Sequence, residues 1–377
     1  HCLRGRARDE RMHDGELMQR AIEIARSARR RTAPKPAVGC VIAREGEIVG
    51  IGATEAGLHG AHAEVVALRA AGESARGATA YSTLEPCNHH GATPPCTDAL
   101  IEAGVARVVV AVGDPDPLVA GAGFARLANA GIEVTTGVET DAAARDLAPY
   151  LHHRRTGQAF VTAKVALSLD GRVAAADGSS QWITSPEARA DAHELRADAQ
   201  AIVVGSGTAH ADQPKLTVRD VAPMPEHAPL RVLLDARGRT PATGPLFDAA
   251  LAPTMVFTTA AASSDAKAAW EAAGAKVEVV ERGWQGHGVD FDAVFQRLGA
   301  EGVLHALVEG GGTLLGALVA CENVQRIVAY VAPTLLGTRG LPAFVFNGPE
   351  TIDAAPRWDL VDTTPVGADV RLTLEPR

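Results

Sequence analysis

The sequence predicts two α/β domains in tandem. Three observations carry this expectation. A length of 377 residues exceeds one average domain. Short apolar runs alternate with helical periodicity through both halves. The alternation resets at a polar, basic stretch, His152-His153-Arg154-Arg155. The domains are therefore expected over residues 12–152 and 153–377.

The first domain opens with a helix. Asp14 is suited to cap it, and Leu17, Ala21, Ile24 and Ala28 fall on one face. Its end carries Arg29, Arg30 and Arg31, which read either as a solvated helix end favouring the dipole or as cations for a phosphate. After Pro34 and Pro36 come strands at Val38 to Ala43 and Ile48 to Gly52, joined at Glu45-Gly46. A helix follows from His62 through Ala71. Strands at Ala78 to Leu84, Arg107 to Gly113 and Ile132 to Val138 then alternate with helices at Thr97 to Ala103 and Gly123 to Asn129. A helix, a hairpin and repeated strand–helix units make a three-layer α/β sheet. The second half reads as strands at Phe160 to Leu167, Ala201 to Gly205, Leu230 to Asp235, Thr254 to Thr258, Lys276 to Val280, Leu304 to Val308 and Ile327 to Val331. Helices such as Pro186 to Ala197 and Thr313 to Ala320 lie between them, giving a second α/β domain.

Composition narrows the class of function. The apolar fraction of 46% supplies ample core, and no run of about 18 apolar residues exists to span a membrane. The polar opening, His1 to Arg11, has neither a signal-peptide pattern nor a starting Met, so Met12 is read as the start. A net charge of −9 argues against nucleic acid as the main partner. Five cysteines without a secretory signal point to a reducing, cytoplasmic setting. Cys2, Cys40 and Cys321 receive no role.

Two peptides carry the chemistry: His62-Ala63-Glu64, and Pro86-Cys87-Asn88-His89-His90-Gly91-Ala92-Thr93-Pro94-Pro95-Cys96. One imidazole and two thiolates form a zinc set with a position left open for water, and Glu64 is placed to shuttle protons there. Pro94 and Pro95 suit a helix start, so Cys96 and His62 should both sit at helix N-termini. This points to hydrolytic removal of an amino group from a heteroaromatic ring. The rival is a structural zinc closed by His89 or His90 as fourth ligand. Taken singly, each of these residues would read as ordinary core.

Eight residues separate the two cysteines. This loop, with Leu84-Glu85-Pro86 before it and Gly113-Asp114-Pro115-Asp116-Pro117 and Val119-Ala120-Gly121 after it, resembles the bifunctional riboflavin-biosynthesis deaminase–reductases. So do Leu167-Ser168-Leu169-Asp170-Gly171-Arg172, Ser180-Gln181-Trp182-Ile183-Thr184, Leu216-Thr217-Val218-Arg219 and Val308-Glu309-Gly310-Gly311-Gly312. The resemblance implies a cytidine-deaminase-like domain followed by a dihydrofolate-reductase-like domain. It implies zinc-dependent deamination of 2,5-diamino-6-ribosylamino-4(3H)-pyrimidinone 5′-phosphate, a small phosphorylated aminopyrimidine. NADPH-dependent reduction of the ribosyl group to ribityl would follow. By motif, His62, Cys87 and Cys96 hold Zn2+ and Glu64 is catalytic. Ala166, Trp182, Thr208, Asp212 and the segment Gly311, Gly312, Thr313, Leu314, Leu315, Gly316 and Ala317 match NADPH-contacting positions. Ser180, Arg196, Leu216, Arg219 and Glu309 match substrate-contacting ones. The glycine-rich turn running into a helix suits a pyrophosphate. The forks of Arg196 and Arg219 suit a phosphate, though alone they would read as surface ion pairs, and Trp182 as core. Lys164 lies on the first strand of this domain, within reach of the ligand. A homo-oligomer is also implied.

This chain departs from the family pattern on the substrate side of the deaminase pocket. Lys35 stands between two prolines where the family has Asn, Ala53-Thr54 where it has a histidine, and Ala92 where it has Lys or Arg. Either Lys35 supplies the phosphate-facing cation and His59 the imidazole, or the chain is a specialised paralogue with altered aminopyrimidine specificity or an impaired deaminase half. Gln213 and Ala236 replace more usual residues in the second half.

Overall fold

A computed structural model describes residues 12–377 except 58, 92, 284, 285 and 287; the opening residues, Cys2 among them, and Ala92 lie outside the described residues. The chain divides into two compact units between Thr156 and Gly157.

In the first unit the order is α1 (Asp14–Thr32), β1 (Gly39–Arg44), β2 (Glu47–Ala53), α2 (Ala63–Ala71), β3 (Thr79–Leu84), α3 (Cys96–Ala103), β4 (Arg107–Val112), α4 (Ala122–Asn129), β5 (Glu133–Thr136) and α5 (Thr140–Thr156). The sheet runs β2-β1-β3-β4-β5, with β1 antiparallel to both neighbours and β3, β4 and β5 parallel. Leu17, Met18, Ala21 and Ile22 of α1 and Ala143 of α5 pack with Val41, Tyr81, Val109 and Ala111 of the strands. Side chains alternate across a strand, so Cys40 and Ile42 face the opposite layer, as do their partners Gly52 and Gly50. There α2 lies so close that a Cβ on Gly52 would sit 2.3 Å from the Ala63 carbonyl oxygen. Two missing side chains thus let the start of α2, where His62 and Glu64 lie, settle onto the sheet.

Two local expectations are corrected. Helix α1 is capped by His13, whose N–H donates to the Glu16 carboxylate at 2.9 Å. Asp14 instead accepts from Tyr81 Oη at 2.8 Å and from both terminal nitrogens of Arg107, pinning the helix to the sheet. The basic stretch His152 to Arg155 is the last turn of α5. Arg26 and Arg29 of α1 pair with Asp146 of α5, at 2.6 and 2.8 Å, so that helix end is engaged by protein.

The second unit runs β6 (Phe160–Ser168), β7 (Arg172–Ala174), α6 (Pro186–Asp198), β8 (Ala201–Gly205), α7 (Ser206–Asp212), β9 (Leu230–Leu234), β10 (Thr254–Thr258), α8 (Ser264–Ala272), β11 (Lys276–Val279), α9 (Phe291–Ala300), β12 (His305–Val308), α10 (Gly312–Ala320), β13 (Arg326–Ala332), β14 (Leu341–Pro342), β15 (Trp358–Val366) and β16 (Asp369–Pro376). Its nine-stranded sheet has the order β11-β10-β9-β8-β12-β6-β13-β16-β15. Strands from β11 to β13 are parallel, and β16 and β15 close one edge as an antiparallel hairpin. Parallel strands align their C-terminal ends on one side of the sheet, where ligands of α/β proteins bind. Among the described residues no helix is long and apolar enough to cross a membrane.

Candidate active sites

His62 is the N-cap of α2, Glu64 lies in its first turn, and Cys96 is the first residue of α3. Cys87 sits in the connection from β3, where Cys96 N–H donates to its sulfur at 3.3 Å. His62 Nδ1 lies 3.2 Å from Cys96 Sγ and 3.5 Å from Cys87 Sγ. Ligands of a tetrahedral zinc stand about 3.5–3.8 Å apart, given Zn–S and Zn–N bonds of about 2.3 and 2.0 Å. The donor set and its spacing therefore fit zinc. Among the described residues these three side chains are the one group of His, Cys, Asp or Glu with donor atoms within 4.8 Å of one another. Neither His89 nor His90 belongs to it, which disfavours a closed structural site.

The two thiols differ in acidity. Cys87 is drawn down to about 4, first by the hydrogen bond from Cys96 and then by His62 beside it. Cys96 is pushed up, first because its thiol donates to Cys87 and then by burial. Glu64 is 3% exposed, and burial pushes its carboxyl up. Ser82 Oγ lies within donor range of it at 3.2 Å and of the Leu84 carbonyl at 2.8 Å. A buried carboxyl that holds its proton more readily than usual suits a group that must alternately take and give one. Ser82 escaped sequence reasoning, because its strand carries hydroxyls at Thr79, Tyr81, Ser82 and Thr83 and nothing local singles one out.

Glu85 explains the motifs that flank the cysteine loop. Its buried carboxylate accepts from the N–H groups of Asp114 (3.3 Å), Gly121 (3.1 Å) and Gly123 (3.1 Å), so it closes the Gly113 to Gly123 turn over the end of β3. Asp114 in turn accepts from Tyr150 Oη at 2.9 Å. Glu85→Gln leaves one N–H facing an amide donor. It is expected to cost about 1–3 kcal/mol of stability in the first unit and to slow deamination, read by thermal melting and ammonia release.

On the substrate side, Lys35 Nζ donates to the Gly60 carbonyl at 3.0 Å, in the connection that carries the exposed His59. Burial pushes the Lys35 ammonium's pKa down, Glu55 opposes this, and the charge is near enough to bear on His62. Thr54 is consumed by backbone, accepting from Val38 N–H at 3.1 Å.

The second unit holds a cavity of about 1490 Å³ at the C-terminal ends of β6, β8, β9 and β12. Of the nucleotide expectations, Ala166, Trp182, Thr208, Asp212, Gly311, Gly312, Thr313, Leu314 and Ala317 line it. Leu315 does not, being wholly buried in the core, and Gly316 packs against the Val345 backbone. Helical geometry turns these two away while Thr313, Leu314 and Ala317 face the cavity. Trp182 is 67% exposed with the Arg189 guanidinium 4.3 Å from its ring, so it is no core residue. The Gly311 N–H donates to Thr208 Oγ1 at 3.1 Å, joining the starts of α7 and α10. An open α10 N-terminus above this volume fits a dinucleotide.

Ser180, Arg196, Leu216, Glu309 and Lys164 also line the cavity, whereas Arg219 does not. Its side chain is exposed beside Asp220, 3.8 Å away. The expected phosphate fork of Arg196 is corrected as well. Nε and Nη2 grip Glu309 at 2.5 and 2.9 Å, and Nη1 donates to the Thr217 carbonyl. Burial alone would push the Glu309 carboxyl up, but Arg196 and Lys164, whose Nζ is 3.9 Å away, hold it down to about 2. The cavity thus presents a fixed anion.

Residues 159–372 match the family described as the RibD C-terminal domain, and residues 11–112 the cytidine and deoxycytidylate deaminase zinc-binding region. The riboflavin biosynthesis protein RibD of Escherichia coli is 41% identical, over 96% of this chain and 99% of that protein. RibD of Mycobacterium tuberculosis is 44% identical over 96% and 97%. Form 1 of Acinetobacter baumannii RibD superimposes with a TM-score of 0.85 at 39% identity, over 97% of this chain and 99% of that one. A Thermotoga maritima structure described as a diaminohydroxyphosphoribosylaminopyrimidine deaminase/5-amino-6-(5-phosphoribosylamino)uracil reductase does so at 0.81 and 29%, over 97% and 99%.

Proposed function

Because the chain belongs to the RibD family of bifunctional riboflavin-biosynthesis enzymes, a zinc deaminase joined to an NADPH-dependent reductase, we propose specific roles for its residues. His62, Cys87 and Cys96 hold zinc, and Glu64 takes a proton from water and delivers it to the departing ammonia. The substrate is the 5′-phosphate of 2,5-diamino-6-ribosylamino-4(3H)-pyrimidinone. The observation that carries the reading is the convergence of three donor atoms beside a buried, non-ligating carboxyl. When bound, zinc supplies the Lewis acidity that makes water reactive near neutral pH, and NADPH supplies reducing equivalents. Ala166, Trp182, Thr208, Asp212 and the Gly311 turn seat the nucleotide. Ser180, Leu216 and the ionised Glu309 face the substrate, the carboxylate accepting from sugar hydroxyls while Arg196 and Lys164 keep it charged.

Incubating the purified protein with the diaminopyrimidinone ribotide and NADPH tests this, with ammonia release and loss of nicotinamide absorbance followed separately. Ammonia first and oxidation after it is the expected order. Oxidation without prior ammonia release would reject it.

Lys35 is assigned the phosphate end of the deaminase substrate, with His59 in the same connection. Lys35→Ala should raise the deaminase KM for the phosphorylated substrate roughly tenfold, the loss of one charge-assisted contact. An unchanged KM for phosphorylated and dephosphorylated forms alike would remove Lys35 from the site. We also place the protein in the cytoplasm, a reading supported by Cys40, Cys87, Cys96 and Cys321, none of which is in a disulfide. A homo-oligomer rests on the family resemblance and is checked by light scattering.

A further inference from the structure

We propose that Ser82 is a positioning residue for deamination: its hydroxyl holds one oxygen of the Glu64 carboxyl against β3 and leaves the other to exchange protons. This rests on the reading of Glu64 as the proton carrier. Ser82 Oγ lies 3.2 Å from Glu64 Oε1 and 2.8 Å from the Leu84 carbonyl oxygen. Both side chains are shut away from bulk water, Ser82 at 0% exposure and Glu64 at 3%. A carboxyl group turns easily about its last torsion, whose energy is broad and roughly two-fold. Bulk water does not orient a buried one, so a protein group must.

The sheet brings one hydroxyl to this spot. Cys40 of β1 pairs with Gly52 of β2 on one side and with Ser82 of β3 on the other. Paired residues stand on one face of a sheet, so Gly52, Cys40 and Ser82 form a row of small residues facing α2. Their size lets the first turn of α2 approach, and of the three only Ser82 carries a hydroxyl. Its neighbours Tyr81 and Thr83 face the other layer and are already engaged. Tyr81 Oη donates to Asp14, and Thr83 Oγ1 accepts from the Gly39 N–H at 3.2 Å. The Cys96 thiol also reaches Glu64, yet its sulfur belongs to the metal group.

A hydroxyl suits this place better than a fixed donor. It has one proton to give and can rotate to aim it. Between Oε1 and the Leu84 carbonyl that proton has two acceptors within reach. While Glu64 is charged the hydroxyl points to Oε1, because a bond to a carboxylate is about twice as strong as one to a neutral oxygen. Once Oε2 is protonated the two acceptors are alike, and a small rotation shares the proton between them. Neither the carboxyl nor the strand has to move as the charge comes and goes. Leu84 ends β3, which leads into the connection bearing Cys87. The same hydroxyl therefore ties the proton carrier to the strand end that delivers a metal ligand.

Steady-state ammonia release by the full-length protein tests the assignment. Ser82→Ala should lower kcat about tenfold, the loss of one hydrogen bond. KM, zinc content and reduction of pre-deaminated substrate should stay unchanged. Added to Glu64→Gln, Ser82→Ala should bring no further fall, since it acts through the carboxyl. Crystals of the Ser82→Ala variant should show the Glu64 carboxyl in more than one orientation. An unchanged kcat, or a single fixed carboxyl in those crystals, would overturn the proposal. So would zinc lost with the hydroxyl, or the same tenfold fall on top of Glu64→Gln, either of which would make Ser82 a strut of the strand end. Full ammonia release by Glu64→Gln alone would instead sink the proton-carrier reading, and this proposal with it.

Discussion

Glu64→Gln is expected to abolish most ammonia release, by about 10²–10⁴-fold, while the protein keeps one zinc per chain. The carboxyl is buried and lies outside the ligand group, so an amide of the same shape removes the proton carrier and leaves the three donors in place. Ser82 can still donate to the amide oxygen, so the local packing survives. Reduction of pre-deaminated substrate should be unaffected, because Glu64 and the cavity proposed to seat NADPH belong to different units. Metal analysis separates the outcomes. Zinc lost together with activity would make Glu64 a ligand or a structural support, and retained activity would remove it from proton transfer.

Arg196→Ala should strike the second unit just as hard. It leaves the Glu309 carboxylate largely buried with only Lys164 nearby, and breaking a buried pair from one side costs about 3–5 kcal/mol. Calorimetry should show the transition of the second unit moving down and that of the first unmoved, with reduction lost. An apolar replacement of both partners, Arg196→Met with Glu309→Leu, should restore much of the stability but none of the activity. The same pair sets a pH dependence. The folded Glu309 pKa of about 2 lies below its ordinary 4.5, so the stabilisation is complete above about pH 4.5. It fades as pH falls toward 2 and amounts to about 3 kcal/mol. Glu309→Leu in the double variant should flatten that acid limb; an unchanged limb would mean that other carboxylates govern it.

The candidate metal centre was legible in the chain alone because its chemistry restricts residue type. Imidazole and thiolate are ordinary ligands of an open zinc site, and Pro94-Pro95 marks the helix start that carries one of them. The strands at Ala201–Gly205 and Thr254–Thr258 were equally plain, since strands buried on both faces read as unbroken apolar runs. The edge hairpin β15–β16 passed unnoticed: β15 is half exposed, carries Pro365 and has no apolar period, which leaves the short alternation Val370, Leu372, Leu374 of β16 without a partner to announce it. Helix α5 went unread as well, because Pro149 interrupts it and its basic end reads as a boundary between domains.

What a fold adds is the identity of the partner. Arg196 and Glu309 lie 113 positions apart, and nothing local says that the fork closes on a carboxylate instead of a phosphate. Glu85 reaches N–H groups up to 38 residues away, and the turn after β9 comes to line the cavity of the second unit only because β9 settles beside β8. Local chemistry names the groups able to react, whereas long-range packing sets which charges are already spent on one another and which stay open to a ligand.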